Sequence, residues 1–303
     1  YIADEATPPA LGSQFATLGI GEVSTESDFE AGEYVVTITP AGDDATILFV
    51  SEPVTVASQD QLMISIFDSD GNDLAPYSMR LFSLTSGGTG ALVDARFAPQ
   101  IRFIHASLNF GDADIFIDEE LAAPVVSNHM FTDITDFIDV SAGTLPVTYT
   151  PPGNTGTTLI DVDETIFPGT RSDFYVLLSA NDADTRIFDI ADRRSISTIG
   201  RVSFMNTVGG RDAVDIYLVP SGESIEDYAP LFPGLPRGTT PIQLPITPDS
   251  YDIYVSTVET ETEDSVVLTG PVPLVVDFGD VIETIIFENV DPTVVDFVIL
   301  PPP

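Results

Sequence analysis

The sequence predicts an all-β protein made of tandem β-sandwiches. Three observations lead to this prediction. Short runs of β-branched and aromatic residues alternate with Gly-, Pro- and Asp-containing turns. No stretch of ten or more residues has the apolar spacing of an amphipathic helix. A pattern also recurs along the chain with a period of about a hundred residues, which is too long for a solenoid repeat of 20–50 residues.

The recurring pattern is clearest in residues 101–120 (IRFIHASLNFGDADIFIDEE) and 201–222 (RVSFMNTVGGRDAVDIYLVPSG), with Asp114 aligned on Asp215. Each copy reads as two strands joined by a polar turn. Residues 1–5 (YIADE) match only the second of these strands. We therefore expect three sandwich domains, called repeat one (1–92), repeat two (93–198) and repeat three (199–303), of which the first lacks its first strand.

The remaining elements follow the same reasoning along the chain. In repeat one, strands are predicted at 23–29, 33–40, 46–50, 54–57, 61–67 and 77–84, with turns at 30–32, 41–44 and 68–73. In repeat two they are predicted at 101–107, 113–118, 146–150, 158–162, 173–179 and 185–191. In repeat three they are predicted at 250–257, 266–268, 274–278, 281–287 and 294–300. Residues 85–90 (TSGGTG) are typical of a linker, 223–228 of one helical turn, and 230–241 of a Pro-rich insertion.

The composition limits the partners. The net charge is −38, from 48 acidic and 10 basic residues, and every basic residue is arginine. Such a surface repels nucleic acids and anionic membranes, and it suits high salt, divalent cations or cationic partners. The chain has no cysteine, which excludes disulfides and thiolate chemistry. No apolar run reaches the roughly 18–20 residues of a membrane span.

The motif also resembles a known family. Arg102 to Ser107 (RFIHAS), Ala113 to Asp118 (ADIFID) and the later Ala142-Gly143 turn are similar to the domain-of-unknown-function family 4397 (DUF4397). The resemblance implies tandem immunoglobulin-like sandwiches in a secreted or surface-anchored prokaryotic protein, and it brings no known chemistry. Repeat three departs from the motif, because Met205-Asn206-Thr207 stands where His105-Ala106-Ser107 stands in repeat two.

His105 is the residue that most invites a catalytic interpretation, since the chain has only one other histidine, His129. However, no G-x-S-x-G motif accompanies it. His105 alternates with Phe103 on a predicted strand, and Met205 occupies its place in repeat three. We therefore interpret His105 as structural, and we expect no catalytic residues and no enzyme activity.

One loop resembles a calcium site. Residues 68–73 (DSDGND) offer the carboxylates of Asp68, Asp70 and Asp73, and Ca²⁺ prefers such oxygen ligands. The helix–loop–helix type of calcium loop is excluded, because Gly71 is the fourth residue of the loop rather than the sixth. A solvated hairpin turn is the alternative. We expect no other cofactor.

These observations favour an extracellular, non-catalytic structural protein of a prokaryote. A sandwich without one strand exposes an unpaired edge, which invites a strand from another chain. We therefore expect a homopolymeric filament assembled by β-strand complementation, with no insertion into membranes. Because the sequence begins with Tyr1, we also expect preceding residues, and these could supply the strand instead. A surface-displayed binding module or adhesin stalk, with calcium, another cation or a cell-surface glycan as ligand, is the alternative function.

Overall fold

The computed structural model is all-β, as predicted, with a single 3₁₀ turn at Ile225–Asp227 among the described residues. The structure describes residues 1–3, 12–68, 77–118, 121–166, 169–178, 183–189, 198–239, 242–258, 264–291 and 293–300. The chain divides into two compact units. The first comprises Tyr1–Gln100, Asp139–Gly143 and Thr165–Arg171, and the second comprises Ile101–Ile138, Thr144–Glu164 and Ser172–Pro303. The finer division at 92/93 and 198/199 stays a prediction.

Among its described residues, repeat one contains seven strands in two sheets. They are β1 (Ile2–Ala3), β2 (Gly32–Ile38), β3 (Phe49–Val50), β4 (Val54–Val56), β5 (Leu62–Asp68), β6 (Tyr77–Ser83) and β7 (Thr89–Leu92). One sheet has the order β1-β2-β3, with β4 also paired to β2, and the other has the order β5-β6-β7. Val36, Phe49 and Met79 form the buried centre between the two sheets.

The part of repeat two that the structure describes contains eight strands in two four-stranded sheets. They are β8 (Gln100–His105), β9 (Ala113–Phe116), β10 (Val126–His129), β11 (Ile138–Asp139), β12 (Gly143–Thr150), β13 (Ile160–Ile166), β14 (Arg171–Leu178) and β15 (Ala183–Asp189). The sheet orders are β10-β9-β12-β13 and β11-β8-β14-β15. The rings of Phe103, Tyr149 and Phe174 join the two sheets, with centroids 5.7–6.4 Å apart.

Repeat three has the same strand order as repeat two. Its strands are β16 (Gly200–Asn206), β17 (Ala213–Pro220), β18 (Phe232–Pro236), β19 (Leu244–Ile246), β20 (Asp249–Thr257), β21 (Val267–Val276), β22 (Val281–Glu288) and β23 (Val295–Ile299). The sheets are β18-β17-β20-β21 and β19-β16-β22-β23. One buried apolar cluster is shared by both sheets, which makes this repeat a sandwich.

The two complete repeats place their first strand in the middle of a sheet. β8 lies between β11 and β14, and β16 lies between β19 and β22. β16 runs parallel to β22. The bonds from Gln100 N to Thr170 O and from Ala106 N to Val176 O show the same direction for β8 and β14. This order differs from that of an immunoglobulin constant domain, ABED and CFG, so the likeness lies in the sandwich architecture.

The register of β1 supports the predicted alignment of repeat one. Tyr1 exchanges backbone hydrogen bonds with Thr37, at 2.8 and 3.0 Å. Phe116 faces Thr148 in the same way in repeat two. Tyr1 therefore occupies the position of Phe116, the last residue of β9, and β1 corresponds to the residues that follow β9. Among the described residues, repeat one has no strand in the position of β8.

Two predicted connections are in fact parts of sheets. The predicted linker 85–90 is a hairpin turn that leads into β7, with Gly87 N bonded to Ser83 O and Ser83 N bonded to Gly88 O. The predicted Pro-rich insertion 230–241 contains β18, which pairs with β17 as β10 pairs with β9. Proline is tolerated in β18 because this strand lies at the edge of its sheet.

Other differences concern short strands. β7, β10, β11, β18 and β19 are too short, or too rich in Pro and polar residues, for their sequence pattern to predict them. Conversely, the stretches 266–268 and 274–278 belong largely to one strand, β21. The predicted strand at 23–29 is absent: this segment is irregular and mostly exposed.

Candidate strand-docking site

Strand β5 of repeat one has an open edge. Its counterparts β14 and β22 each pair on both sides, with β8 and β15 and with β16 and β23. β5 pairs only with β6 among the described residues, and its other edge has no strand. The missing neighbour is the one that the sequence predicted to be absent.

The backbone hydrogen-bond pattern shows which groups face this open edge. Leu84 N donates to Gln61 O, so the backbone groups of Gln61 and of every second residue after it point toward β6. The N–H and C=O groups of Leu62, Ile64 and Ile66 therefore point toward the open edge. In repeat two, the corresponding carbonyl of Val176 accepts a hydrogen bond from Ala106 N of β8. The edge of β5 thus offers the groups that a parallel strand would need.

The segment 12–31 has the position in the chain that β10 and β11 occupy in repeat two. It contains no strand, and several of its apolar side chains are exposed, with Val23 at 87% and Ile20 at 109%. In repeat two, β11 pairs with β8 itself. The stretch 23–29 therefore lacks its strand partner, which explains why its strand-like sequence forms no strand.

These observations define one site, the strand-docking site, at the open edge of β5. Repeats two and three each hold their own first strand at the equivalent place. The inward side chains of β5 are also less covered than their counterparts. Leu62 and Ile64 are only partly buried, whereas Phe174 and Val176, which stand at the same positions of β14, are fully buried. A strand inserted here would cover apolar surface and satisfy backbone groups at the same time.

The two histidines form a buried pair inside repeat two. His105 and His129 are at most 2% exposed, and their ring centroids are 5.5 Å apart. His105 Nε2 lies 2.8 Å from the carbonyl oxygen of Gly111, to which it donates. The ring nitrogens of His129 and the Nδ1 atom of His105 have no hydrogen-bond partner among the described residues.

Burial controls the charge of this pair. It lowers the pKa of His105, against the opposing effect of the bond to Gly111. Burial and, to a smaller extent, the neighbouring His105 lower the pKa of His129 to about 4. Both imidazoles are therefore neutral at pH 7. Phe110 and Phe131 pack on the ring of His105, so the pair is part of an aromatic core.

The alignment of His105 with Met205 is wrong. Ala106 N bonds to Val176 O as Thr207 N bonds to Ile286 O, so Ala106 corresponds to Thr207 and His105 corresponds to Asn206. Met205 points to the opposite side of its sheet, where it packs with Ile285 and Phe287. Asn206 Nδ2 donates to Leu235 O, and its Oδ1 atom accepts from Val208 N. A polar side chain that bonds to nearby backbone is thus common to both repeats.

The predicted calcium ligands lie mostly outside the described residues. Asp70 and Asp73 belong to the segment 69–76, which the structure does not describe, and Asp68 is the last residue of β5. The calcium hypothesis therefore stays a prediction. Within the described part of the chain, no three His, Asp or Glu side chains are grouped so that they could hold a metal ion.

Sequence reasoning missed the role of the aspartate that marks each repeat. Asp114 accepts hydrogen bonds from the backbone N–H groups of Asn128 and Gly153, at 2.8 and 2.7 Å. Asp215 accepts one from Gly234 N at 2.6 Å. Asn128 and Gly234 both have left-handed backbones, with φ of 52° and 58°, next to irregular strand pairing. The signal was the recurrence of the aspartate itself.

A buried ion pair lies on the outer face of the sheet that contains β8 and β14. Arg102 binds both carboxylate oxygens of Asp173, at 2.8 and 2.7 Å, and its guanidinium lies 4.7 Å from the centre of the Phe137 ring. Burial acts to lower the pKa of Arg102, but the carboxylate of Asp173 outweighs it and the pKa is raised. Arg102 therefore remains charged in a buried place.

The described residues define a protein of repeated all-β sandwiches in which one repeat has an open strand position. Residues 99–217 match the model of a family described as Domain of unknown function (DUF4397). The match covers repeat two and extends into β17 of repeat three. No curated protein matches the chain. Among the described residues, no helix is long and apolar enough to cross a membrane.

Proposed function

We propose that this protein is a non-catalytic structural subunit of an extracellular filament. In this proposal, neighbouring copies are joined by a strand that inserts into the strand-docking site of repeat one. The observation that carries the proposal is the open edge of β5, which is the position where repeats two and three each hold a parallel strand.

The uncharged residues at the site favour a strand from another copy of this chain as the occupant. Leu62, Ile64 and Ile66 bring no charge to the edge, although the chain carries a net charge of −38. In repeats two and three, the equivalent position takes a buried strand of the same polypeptide. A strand donated by the next copy makes a head-to-tail contact, and such contacts produce open filaments when they do not close into a ring.

Proline at Ile66 tests the backbone pairing. The Ile66 N–H points away from β6, so Ile66→Pro removes a donor from the open edge and leaves the β5–β6 ladder intact. We expect the wild-type protein to form regular filaments of a 32.4 kDa subunit in negative-stain electron microscopy. We expect Ile66→Pro to abolish the filaments while its circular dichroism spectrum and melting temperature stay close to those of the wild type.

Ile66→Thr is the matched control, because it keeps the N–H group and a β-branched side chain. Filaments in Ile66→Thr and none in Ile66→Pro support docking through the backbone. Filaments in both variants would show that the edge of β5 is not the joint. Separate particles of the wild-type protein, at every concentration tested, would overturn the filament proposal and favour a surface stalk or binding module.

A further inference from the structure

Repeats two and three are joined through the outer faces of equivalent sheets. These are the sheets β11-β8-β14-β15 and β19-β16-β22-β23, whose outward side chains form one buried apolar cluster. The cluster contains Ile104, Ala106, Tyr175 and Leu177 from repeat two, and Met205, Ile285, Phe287 and Leu300 from repeat three. The rings of Phe131 and Phe287 meet across this interface at 5.9 Å, and Leu108 N donates to Glu288 Oε1 at 2.8 Å.

Both sides of this interface use the same positions of the repeat. The register places Met205 where Ile104 stands, Ile285 where Tyr175 stands, and Phe287 where Leu177 stands. Two related surfaces that meet through matching positions form a pseudo-symmetric pair, as two identical surfaces do in a twofold dimer. This face of the repeat is therefore complementary to another face of its own kind.

Repeat one carries the same kind of face on β5 and β6, and much of it is exposed. Ile64 points into the core of repeat one, so its neighbours on β5 point outward. Met63 and Phe67 are 44% and 43% exposed, and Leu84, just after β6, is 61% exposed. Phe82 lies opposite Met63 on the same face. We call these four side chains the outer face of repeat one.

Charge distinguishes the outer face of repeat one from most of the molecule. The described side chains that point outward on β5, on β6 and next to them are those of Gln61, Met63, Ser65, Phe67, Arg80, Phe82 and Leu84. None of these residues is acidic, in a chain with 48 acidic residues. Gln61 aligns with Asp173, the acid that pairs with Arg102 in repeat two. A face of this kind can approach a copy of itself without the repulsion that the rest of the surface would cause.

We propose that the outer face of repeat one pairs with the outer face of repeat one in a second copy of the chain, as repeats two and three pair with each other. Two of the three repeats satisfy this face within the chain, and the third leaves it exposed. The contact is isologous and uses side chains perpendicular to the sheet. It is therefore distinct from the strand-docking site, which uses the edge of the same sheet.

Cysteine cross-linking tests this pairing directly, because the natural chain has no cysteine. Ser65 lies on β5 between Met63 and Phe67. We expect a flexible bis-maleimide linker to join two copies of Ser65→Cys into a covalent dimer of the full-length protein. Head-to-tail docking alone does not produce this product, because it keeps equivalent residues of neighbouring copies apart.

Two further variants make the result specific. Ser58→Cys, in an exposed turn, reports random collisions. Adding Met63→Asp to Ser65→Cys should reduce the dimer at least tenfold, whereas adding Val290→Asp, at another exposed apolar residue, should leave it unchanged. No dimer from Ser65→Cys, equal dimer from Ser58→Cys, or no effect of Met63→Asp would each overturn the pairing. If Met63→Asp reduces the cross-linked dimer while filaments persist, the pairing of outer faces and the docking of strands are two separate contacts.

Discussion

At the scale of single residues, the buried histidines are the groups whose chemistry depends most on the fold. His129 is 2% exposed, and neither of its ring nitrogens has a hydrogen-bond partner among the described residues. A buried polar group without a partner lowers stability, and a charged one lowers it further. The pair is therefore compatible with the folded state only while both rings are neutral.

Acidification should therefore destabilise the protein through His129. Its pKa is about 4 in the folded protein, against an ordinary value of 6.5, so the unfolded chain binds a proton that the folded chain does not. The neutral ring of His129 makes its full contribution to stability above pH 6.5, and this contribution is lost as the pH falls toward 4. Between pH 7.5 and 4.5, we expect the free energy of unfolding to fall by about 2–3 kcal/mol less in His129→Phe than in the wild type.

Urea unfolding at both pH values measures this difference. The carboxylates are the same in the two proteins, so their titration cancels in the comparison. The m-value and the stability at pH 7.5 show whether phenylalanine fits the site. Parallel pH dependences of the two proteins would mean that His129 carries no such linkage.

The sequence placed His105 correctly inside the sandwich, but it aligned this residue with the wrong residue of repeat three. Its alternation with Phe103 placed it inside the sandwich, and the structure confirms that orientation. The comparison with Met205 was wrong by one residue, and a shift of one residue moves a side chain to the other face of a sheet. Only the backbone hydrogen bonds to β14 and β22 identify Asn206 as the counterpart. The bonds of Asp114 were likewise beyond prediction, because they join residues distant in sequence.

At the scale of strands, the ion pair between Arg102 and Asp173 links β8 to β14. Both side chains are at most 3% exposed. Removing one partner leaves a buried charge uncompensated, which costs about 3–5 kcal/mol, whereas removing both avoids that cost. We therefore expect Arg102→Ala and Asp173→Ala each to destabilise the protein strongly, and the double variant to be more stable than the sum of the two losses implies.

A double-mutant cycle, measured by urea unfolding, gives the coupling energy of this pair. Arg80→Ala removes an exposed arginine and changes the net charge equally, so it serves as the control and should cost less than about 1 kcal/mol. Strictly additive losses for Arg102 and Asp173 would show that the two charges do not depend on each other.

The sequence predicted the long strands better than the short ones. β5, β6, β12, β14, β20 and β22 contain β-branched and aromatic runs, and the predictions overlap them. β10, β11 and β19 are two to four residues long and exist because a neighbouring strand offers them a partner. The stretch 23–29 is the opposite case, since it has a strand-like sequence but no partner. Whether such a segment forms a strand depends on a pairing partner in the sheet. The sequence of the segment itself does not reveal whether that partner is present.

At the scale of the whole molecule, the acidic surface opposes both folding and assembly. A net charge of −38 makes the compact state repel itself, and any filament brings many such subunits together. Leu62, Ile64 and Ile66 of β5 and the four side chains of the outer face of repeat one provide the attraction, because none of them is charged. The balance between the two depends on how strongly salt screens the charges.

We therefore expect salt to stabilise the protein and to promote its filaments. Raising NaCl from about 0.05 to 1 M shortens the Debye length from more than 10 Å to about 3 Å, which removes most of the repulsion between exposed carboxylates. The melting temperature should rise by several degrees, and filaments should be longer or more numerous by electron microscopy. Sucrose, which stabilises without screening, is the control for general solvent effects and should not promote filaments to the same extent.

Calcium at matched ionic strength separates screening from specific binding at Asp68, Asp70 and Asp73. If these residues form a site, CaCl₂ should raise the melting temperature more than MgCl₂ does, because a ligand that binds only the folded state adds stability by mass action. The excess should disappear in Asp70→Asn, and a chelator should reverse it. Equal effects of the two salts would assign the stabilisation to screening alone. A melting temperature that does not change with NaCl would contradict the view that charge repulsion limits this fold.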